Sequence, residues 1–382
     1  MSDPRAGLAI RLGVQQRVLP EYRAPFFEAL ARACAGPEGR GAEGRGALGV
    51  FAGKPLPQES IPALETLPPA QFTLARNRYF LHPASPFFLC WQAGLLAWLE
   101  AWQPQALVLE ANPRYLSTPA AIRWMHARRR RVIGWGLGAP EARRSLGGLQ
   151  AWLWSPFLRQ FDALIAYSRR GAEQYRARGV PAGRIYVAAN AVAPAPAAPP
   201  PSRPPQFNGA PALLFVGRLQ ARKRLDNLFR ACAALPEVLQ PRLLVVGDGP
   251  ARAEFEALAA ALYPRAEFTG AQRGEALRPY FAAADLFVLP GTGGLAVQEA
   301  MAHALPVVVA RGDGTQDDLV RPQNGWQVAP DDLDALIAAL HEALSDPRRL
   351  RAMGLESYRI VSEEVNIEKM VEVFLNAVQG SA

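Results

Sequence analysis

With 382 residues, 50% of them hydrophobic, the chain is too long for one ordinary core and has enough apolar side chains to fill two. Its three cysteines, Cys34, Cys90 and Cys232, are too few and too far apart for a disulfide framework or a thiolate site, and its four histidines form no HxxxH or HExxH spacing, so no metal is expected. The net charge of +8 is uneven, with 24 Lys/Arg against 12 Asp/Glu in residues 1–189 (+12) and 18 against 22 in residues 190–382 (−4); no helix-turn-helix, RNP-like or zinc-knuckle pattern accompanies it, which argues against nucleic acid as a partner.

The N-terminal MSDPRAGLAIRLGV lacks a basic start followed by a sustained apolar run, so it does not read as a secretory signal, and a reducing cytoplasm is the expected location. In the following LGVQQRVLPEYRAPFFEALARA, Pro25 suits the first turn of a helix and Arg23 stands at its mouth, a candidate to hold phosphate or acceptor. The glycine-rich Gly36 to Gly49 is expected to be a mobile loop. Phe87 to Trp102 is interrupted by Gln92 and Glu100 and is shorter than the roughly 20 residues a bilayer crossing needs, so it is expected to be a buried or interfacial helix.

Strand-like runs then follow at Leu107 to Leu109, Val132 to Trp135, Ala163 to Tyr167 and Ile185 to Ala188, alternating with helical patterns. Residues 190–211, NAVAPAPAAPPPSRPPQFNGAP, are too rich in proline for a helix or central strand and read as an interdomain linker. Beyond it the runs Leu213 to Val216, Leu243 to Val246, Ala266 to Thr269, Leu286 to Leu289 and Val307 to Ala310 repeat the alternation. The predicted organisation is therefore a domain over 1–189, a linker over 190–211, a second domain over 212–364 and a closing helix over 365–380 that packs back on the first domain. Alternation of this kind implies α/β domains built on two parallel doubly wound sheets, with ligands beyond the carboxyl ends of the strands.

Arginine clusters at Arg128 to Arg131, Arg143/Arg144 and Arg169/Arg170, with Trp152 and Trp154 nearby, could serve an anionic membrane surface or an acidic acceptor. They could equally reflect a general preference for arginine, since only Lys54, Lys223 and Lys369 among the 42 basic residues are lysine.

The stretch Leu286 to Pro306, LFVLPGTGGLAVQEAMAHALP, is the most informative: a buried-strand run, a turn with Gly291, Gly293 and Gly294 through which backbone N–H groups can approach an anion, and a helical segment bearing the lone carboxylate Glu299. Strand Leu213 to Val216 likewise ends in Gly217-Arg218-Leu219, with Arg222-Lys223-Arg224 just before a helix, so Arg218 and Lys223 project from a strand-to-helix loop of the same sheet. A departing nucleoside diphosphate accumulates negative charge and needs such neutralisation. VVGDGPAR has only two of the three glycines of a dinucleotide fingerprint, which weakens a dehydrogenase reading.

In order and spacing, GRLQARKRLDNLFRA, VVGDGP, FTGAQRGEALRPYFAAADLFVLP and GGLAVQEAMAHALPVV resemble the C-terminal domain of family 4 glycosyltransferases, over roughly Pro211 to Pro330. FDALIAYSRRGAEQYRARGVPAGRIYVAANAV looks like that family's approach to the interdomain crossing. The resemblance implies the GT-B fold, two Rossmann-like doubly wound domains facing a cleft. It places Gly217, Arg218 and Lys223 at the donor diphosphate, Glu299 at the ribose hydroxyls, Gly291, Gly293, Gly294 and Leu295 at the donor sugar or phosphate, and Gln272 and Arg273 in the loop that brackets the base. It also implies retention of configuration, with Arg218 and Lys223 stabilising the leaving diphosphate and no metal or other cofactor beyond a UDP- or GDP-linked sugar.

Two departures stand out. Gly291 occupies the place of the first glutamate of the family's E-x7-E pair, so the glycine turn is expected to handle the sugar through its backbone, and Gly291→Glu to be tolerated or to change sugar preference. In the N-terminal domain Leu137 stands where a histidine is expected, leaving Glu110 as the candidate acceptor-orienting or proton-accepting group beside acceptor-side Arg23, Trp135 and Gly138. The expected function is transfer of a sugar from a nucleoside diphosphate sugar to a polysaccharide, lipid-linked or lipopolysaccharide acceptor, in the cytoplasm and peripheral to the inner membrane face. A non-catalytic nucleotide-sugar-binding partner of another transferase is the alternative.

Overall fold

The structure is a computed structural model that describes residues 9–36, 47–59, 61–81, 85, 88–139, 154–312 and 316–380. Residues 37–46 of the glycine-rich patch, and Arg143, Arg144 and Trp152 of the basic clusters, lie outside the described residues. The chain forms two units, residues 1–194 with 367–382, and residues 195–366.

The first unit is built on an eight-stranded sheet: β1 (Leu12–Val18), β2 (Leu48–Gly53), β3 (Gln71–Phe80), β4 (Leu89–Ala93), β5 (Ala106–Glu110), β6 (Arg131–Gly136), β7 (Ala163–Ala166) and β8 (Ile185–Val187), in spatial order β4-β3-β2-β1-β5-β6-β7-β8. Successive side chains alternate between its faces. Val108 joins one core layer with Phe26, Phe27 and Leu30 of α1 (Ala24–Ala35), while Leu107 and Leu109 join the other with α2 (Leu95–Trp102) and α3 (Thr118–His126). A further helix, α4 (Arg169–Ala177), begins at Ser168, whose hydroxyl accepts from the Gly171 N–H.

Two expectations need correction here. The sheet is not wholly parallel, because β4 pairs antiparallel with β3 at the edge. Nor is the described part of the Phe87–Trp102 stretch, Phe88 to Trp102, one helix. Cys90 and Gln92 are buried while Trp91 between them is exposed, the period of a strand, and Gly94 in a left-handed conformation (φ 87°) separates this strand from α2.

The second unit has six parallel strands, β9 (Ala212–Val216), β10 (Arg242–Val246), β11 (Ala266–Gly270), β12 (Leu286–Leu289), β13 (Val307–Ala310) and β14 (Gly325–Val328), ordered β11-β10-β9-β12-β13-β14. Its helices are α5 (Leu225–Ala234), α6 (Arg252–Leu262), α7 (Arg278–Ala283), α8 (Ala296–Ala302), α9 (Leu333–Ser345) and α10 (Pro347–Glu363). The chain winds outward from β9 through β10 to β11, then returns to β12 on the other side of β9. The loops after β9 and β12 therefore flank a topological switch point, where open α/β sheets form ligand sites.

The proline-rich segment lies against the second unit. Arg203 donates to the carbonyls of Phe281 (2.8 Å) and His303 (3.1 Å), and Arg351 donates to that of Pro204 (2.9 Å). The last helix, α11 (Ile367–Gln379), belongs to the first unit: Ile367, Met370, Val371, Phe374, Ala377 and Val378 recur at helical spacing and are buried beside α1 and β6. Among the described residues no helix is long and apolar enough to cross a membrane, and no group of three or more His, Cys, Asp or Glu is placed to hold a metal.

Candidate functional site

Two glycines let the loops of the second unit nest at the switch point. After β9, Gly217 N–H donates to Val246 O (3.0 Å) and Leu219 N–H to Asp248 O (2.9 Å). A Cβ at Gly247, whose φ is 150°, would come within 1.9 Å of Gly217 O, and one at Gly249 within 2.3 Å of Leu219 O. The glycines of VVGDGP thus seat the β10 loop against the β9 loop, which explains the incomplete dinucleotide pattern.

On the other side, the β12 loop is clamped to the same segment. Gly291 is buried, and a Cβ there would fall 2.2 Å from Arg222 O and 2.5 Å from Lys223 Cα. Thr292 N–H donates to Arg222 O (3.2 Å). Lys223 is 5% exposed, and its Nζ donates to the carbonyls of Thr292 and Gly293, both at 2.9 Å. Burial, reinforced by the charge of Arg222, lowers the Lys223 pKa to about 8.

These contacts correct the expectations for the glycine turn. Gly291 packs against the Arg222–Lys223 backbone, so its side-chain direction is closed and a glutamate there cannot be accommodated without moving the loop. A Cβ at Gly294 would strike Leu289 Cδ2 at 2.4 Å. The Cβ direction of Gly293 (φ 69°) instead points toward the Arg222 guanidinium (3.4 Å) and Lys223 Nζ (3.9 Å). Of the three, Gly293 is the one that faces the basic groups.

Arg218 is exposed and forms no ion pair among the described residues. Leu295, 41% exposed, precedes α8, and Glu299 is half-buried in that helix. No described residue binds the Glu299 carboxylate, and burial raises its pKa. Gln272 and exposed Arg273 lie two strands away, after β11; the Gln272 amide is 3.5 Å from Thr269 O. The switch point thus gathers Arg218, Lys223, Gly293 and Glu299 on the loops and helix following β9 and β12.

In the first unit, Glu110 ends β5. Its N–H donates to Gln15 Oε1 (3.1 Å), and its carboxylate accepts from Arg17 N–H (3.1 Å) and from the Tyr115 hydroxyl. Burial raises the Glu110 pKa against the opposing charge of Arg17. The Arg17 side chain grips Glu59 through two hydrogen bonds (2.7 and 3.0 Å) and meets Tyr79 (3.0 Å). Asn77 and Gln92 complete this polar network, with Gln92 Nε2 donating to Asn77 Oδ1 (2.8 Å) and Asn77 Nδ2 to Arg17 O (2.8 Å). The sequence reading does not single out these partners. Gln15-Gln16-Arg17 inside an otherwise apolar strand is the signal that points to them, since buried polar groups require partners.

Two acceptor-side assignments are corrected. Trp135 is 1% exposed and lies in the core, with its ring centroid 4.9 Å from Phe374, 5.8 Å from Phe26 and 5.2 Å from Tyr167. It is a packing residue. Trp135→Ala is therefore expected to cost about 3–5 kcal/mol of stability in urea unfolding, while nucleoside diphosphate affinity of the folded protein stays at the wild-type value. A Cβ at Gly138 would fall 2.2 Å from Gln174 Oε1 and 2.7 Å from Gly171 Cα, so this glycine closes the turn onto α4, and the neighbouring Leu137 is the exposed residue. Arg23 stands at the start of α1, packed over Trp135.

Glycosyl transferases group 1 is the family that matches, over residues 210–346. The matched residues lie within the second unit, and the chain has the GT-B fold. Similar proteins include the sulfoquinovosyl transferase SQD2 of Arabidopsis thaliana, 34% identical over 38% of this chain and 28% of its own. A GDP-mannose-dependent alpha-mannosyltransferase of Mycobacterium tuberculosis is 32% identical over 56% of this chain and 59% of its own. The chain spans less than two thirds of the length of each of these relatives. Among solved structures, the lipopolysaccharide outer core galactosyltransferase WaaB in its apo form has a TM-score of 0.68 at 16% identity, covering 97% of this chain and 99% of that one. Alr3699/HepE of Anabaena, solved in complex with UDP, has a TM-score of 0.67 at 15% identity, covering 96% and 99%.

Proposed function

We propose that the chain is a family 4 glycosyltransferase that transfers a sugar from a UDP- or GDP-linked donor, with retention, to a polysaccharide, lipid-linked or lipopolysaccharide acceptor. The observation that carries this reading is the clamped β9 loop at the switch point, with Lys223 held beside the glycine turn, Arg218 free of ion pairs among the described residues, and Glu299 unoccupied by them. The relatives agree in class: one is a GDP-mannose-dependent mannosyltransferase, another, from Rhizobium meliloti, is a lipopolysaccharide core biosynthesis glycosyltransferase, and HepE was solved with UDP.

In this scheme the bond between the sugar C1 and the diphosphate oxygen breaks while a bond from C1 to the acceptor oxygen forms on the same face. The acceptor's proton passes to an oxygen of the leaving diphosphate. Arg218 and Lys223 stabilise the charge that collects there. Lys223 has three N–H donors and gives two to the turn, leaving one for phosphate. Glu299 accepts the two ribose hydroxyl protons, and Gln272 and Arg273 bracket the base. Glu110 orients the acceptor hydroxyl or takes its proton in place of the diphosphate, a role that favours a carboxylate whose pKa is raised by burial. The scheme needs neither a protein nucleophile nor a cofactor beyond the donor. The basic first half, including Arg128 to Arg131, supports a cytoplasmic site of action on the inner membrane face.

A panel of nucleotide sugars, scored by thermal shift and then by release of nucleoside diphosphate, tests this reading. Binding without release from any donor would instead support a non-catalytic partner. Glu299→Gln should weaken ribonucleoside diphosphate binding by about 1.5–3 kcal/mol and weaken the 2′,3′-dideoxy compound less, because the latter has no hydroxyls to hold. Equal losses for the two ligands in calorimetry would place Glu299 elsewhere.

A further inference from the structure

The mouth of α1 holds a cation in an unusual setting. Arg23 precedes the helix at its positive end, as the last residue of a 3-10 turn (Glu21–Arg23) in which Glu21 is the one acid. A cation is the unfavourable charge at that end of a helix. Its guanidinium packs over Trp135 (4.4 Å to the ring centroid) and Tyr167 (5.2 Å), and Nη2 donates to the Tyr167 hydroxyl at 2.7 Å. Nη1 is buried with no hydrogen-bond partner, and no carboxylate pairs with the side chain among the described residues. Glu110 reaches Arg23 only through its field. Apart from that field, only neutral phenols and a ring face meet this positive charge directly, a costly arrangement unless an anion completes it.

The remaining contact suggests where that anion enters. Arg23 Nε donates to the Tyr22 hydroxyl at 3.3 Å, a long bond, and Tyr22 is 36% exposed while Tyr167 is buried. The Tyr22 hydroxyl is thus a weakly held oxygen on the solvent side of the guanidinium, and its displacement opens Arg23 to a stronger acceptor. A phosphoryl oxygen is such an acceptor, since it forms charge-assisted bonds with a guanidinium.

We propose that Arg23, at the mouth of α1, forms a phosphate site in the first unit, with the Tyr22 hydroxyl standing in for a phosphoryl oxygen of the acceptor. This rests on the glycosyltransferase reading and adds that the acceptor carries a phosphate group. The donor loop would also attract phosphate, so the test uses the full-length Arg218→Ala/Lys223→Ala protein, titrated with inorganic phosphate at constant ionic strength and followed by calorimetry.

In that background, adding Arg23→Gln is expected to weaken phosphate binding at least tenfold. Adding Tyr22→Phe, which leaves the guanidinium and removes its competing oxygen, should strengthen binding by about two- to fivefold, well within the worth of one hydrogen bond. A soluble short-chain phospholipid run in parallel identifies the source: tighter binding than inorganic phosphate with the same dependence on Arg23 assigns a lipid-linked phosphate, and weaker binding assigns a non-lipid phosphate. Phosphate affinity that is absent, or unchanged by Arg23→Gln, overturns the site. Should Arg23→Gln fail to fold, unchanged or weaker binding in Tyr22→Phe overturns it. Nucleoside diphosphate binding by the wild-type chain, measured separately, tests the donor reading, so the two can fail independently.

Discussion

Gly291→Glu is expected to lose nucleoside diphosphate binding by roughly a hundredfold, about 2.7 kcal/mol, rather than to restore a sugar contact. The added Cβ would sit 2.2 Å from Arg222 O and 2.5 Å from both the carbonyl carbon and Cα of Lys223. These are backbone atoms, so no side chain can rotate away, and the β9 loop must separate from the β12 loop. That separation removes Thr292 N–H from Arg222 O and draws Lys223 Nζ away from the carbonyls it holds. Overpacking of this kind costs about 1–3 kcal/mol even where side chains can yield. Gly291→Ala separates volume from charge, because it introduces the same Cβ without a carboxylate and should lose nearly as much. Calorimetry with UDP and GDP on variants with unchanged circular dichroism gives the answer. Wild-type affinity in Gly291→Ala would show that the loops part without consequence for the site.

Much of the second unit is legible in its sequence because parallel strands covered on both faces read as continuous apolar runs. LFVL at Leu286 to Leu289 and VVVA at Val307 to Ala310 coincide with β12 and β13. The first unit is less transparent. β1 carries Gln15, Gln16 and Arg17, β3 is an outer strand with exposed polar residues, and β4 is continuous in hydrophobicity with the helix that follows. None of these shows the pattern of a buried parallel strand.

The candidate site divides in the same way. Arg218, Lys223 and Glu299 announce themselves by charge beside glycine-rich turns. The separate roles of Gly291, Gly293 and Gly294 depend on which atoms each missing Cβ would meet, and those atoms come from residues as far away in sequence as Arg222. Trp135 could not be told from a binding aromatic because its neighbours Phe26 and Phe374 lie more than a hundred positions away on either side. The ion pair of Arg17 with Glu59 is equally nonlocal, joining the end of β1 to a turn beyond β2.

Lys223→Ala should be the most damaging single substitution at the proposed donor site, because one amine performs two tasks. It would contribute a charge-assisted contact to the diphosphate, worth about 1.5–3 kcal/mol, and it ties the Thr292 and Gly293 carbonyls into the turn. Arg218→Ala removes only the first kind of contact and should cost less. Lys223→Arg is not a conservative rescue, since the longer planar guanidinium must enter a niche in which the lysine is 5% exposed.

The depressed pKa supplies a second signature. Only the protonated amine attracts the diphosphate, and burial lowers its pKa to about 8. Affinity should therefore be fully present below about pH 7 and fall as pH rises through 8, a range above the phosphate ionisation near pH 6. A bound diphosphate stabilises the ammonium and raises its pKa, so binding near pH 8 should take up protons. The apparent enthalpy would then vary with the ionisation enthalpy of the buffer. Lys223→Ala should remove both the pH slope and the buffer dependence, whereas Arg218→Ala should keep them. A wild-type affinity that stays flat from about pH 7 to about pH 9.5 would mean that Lys223 holds the turn but does not meet the phosphate.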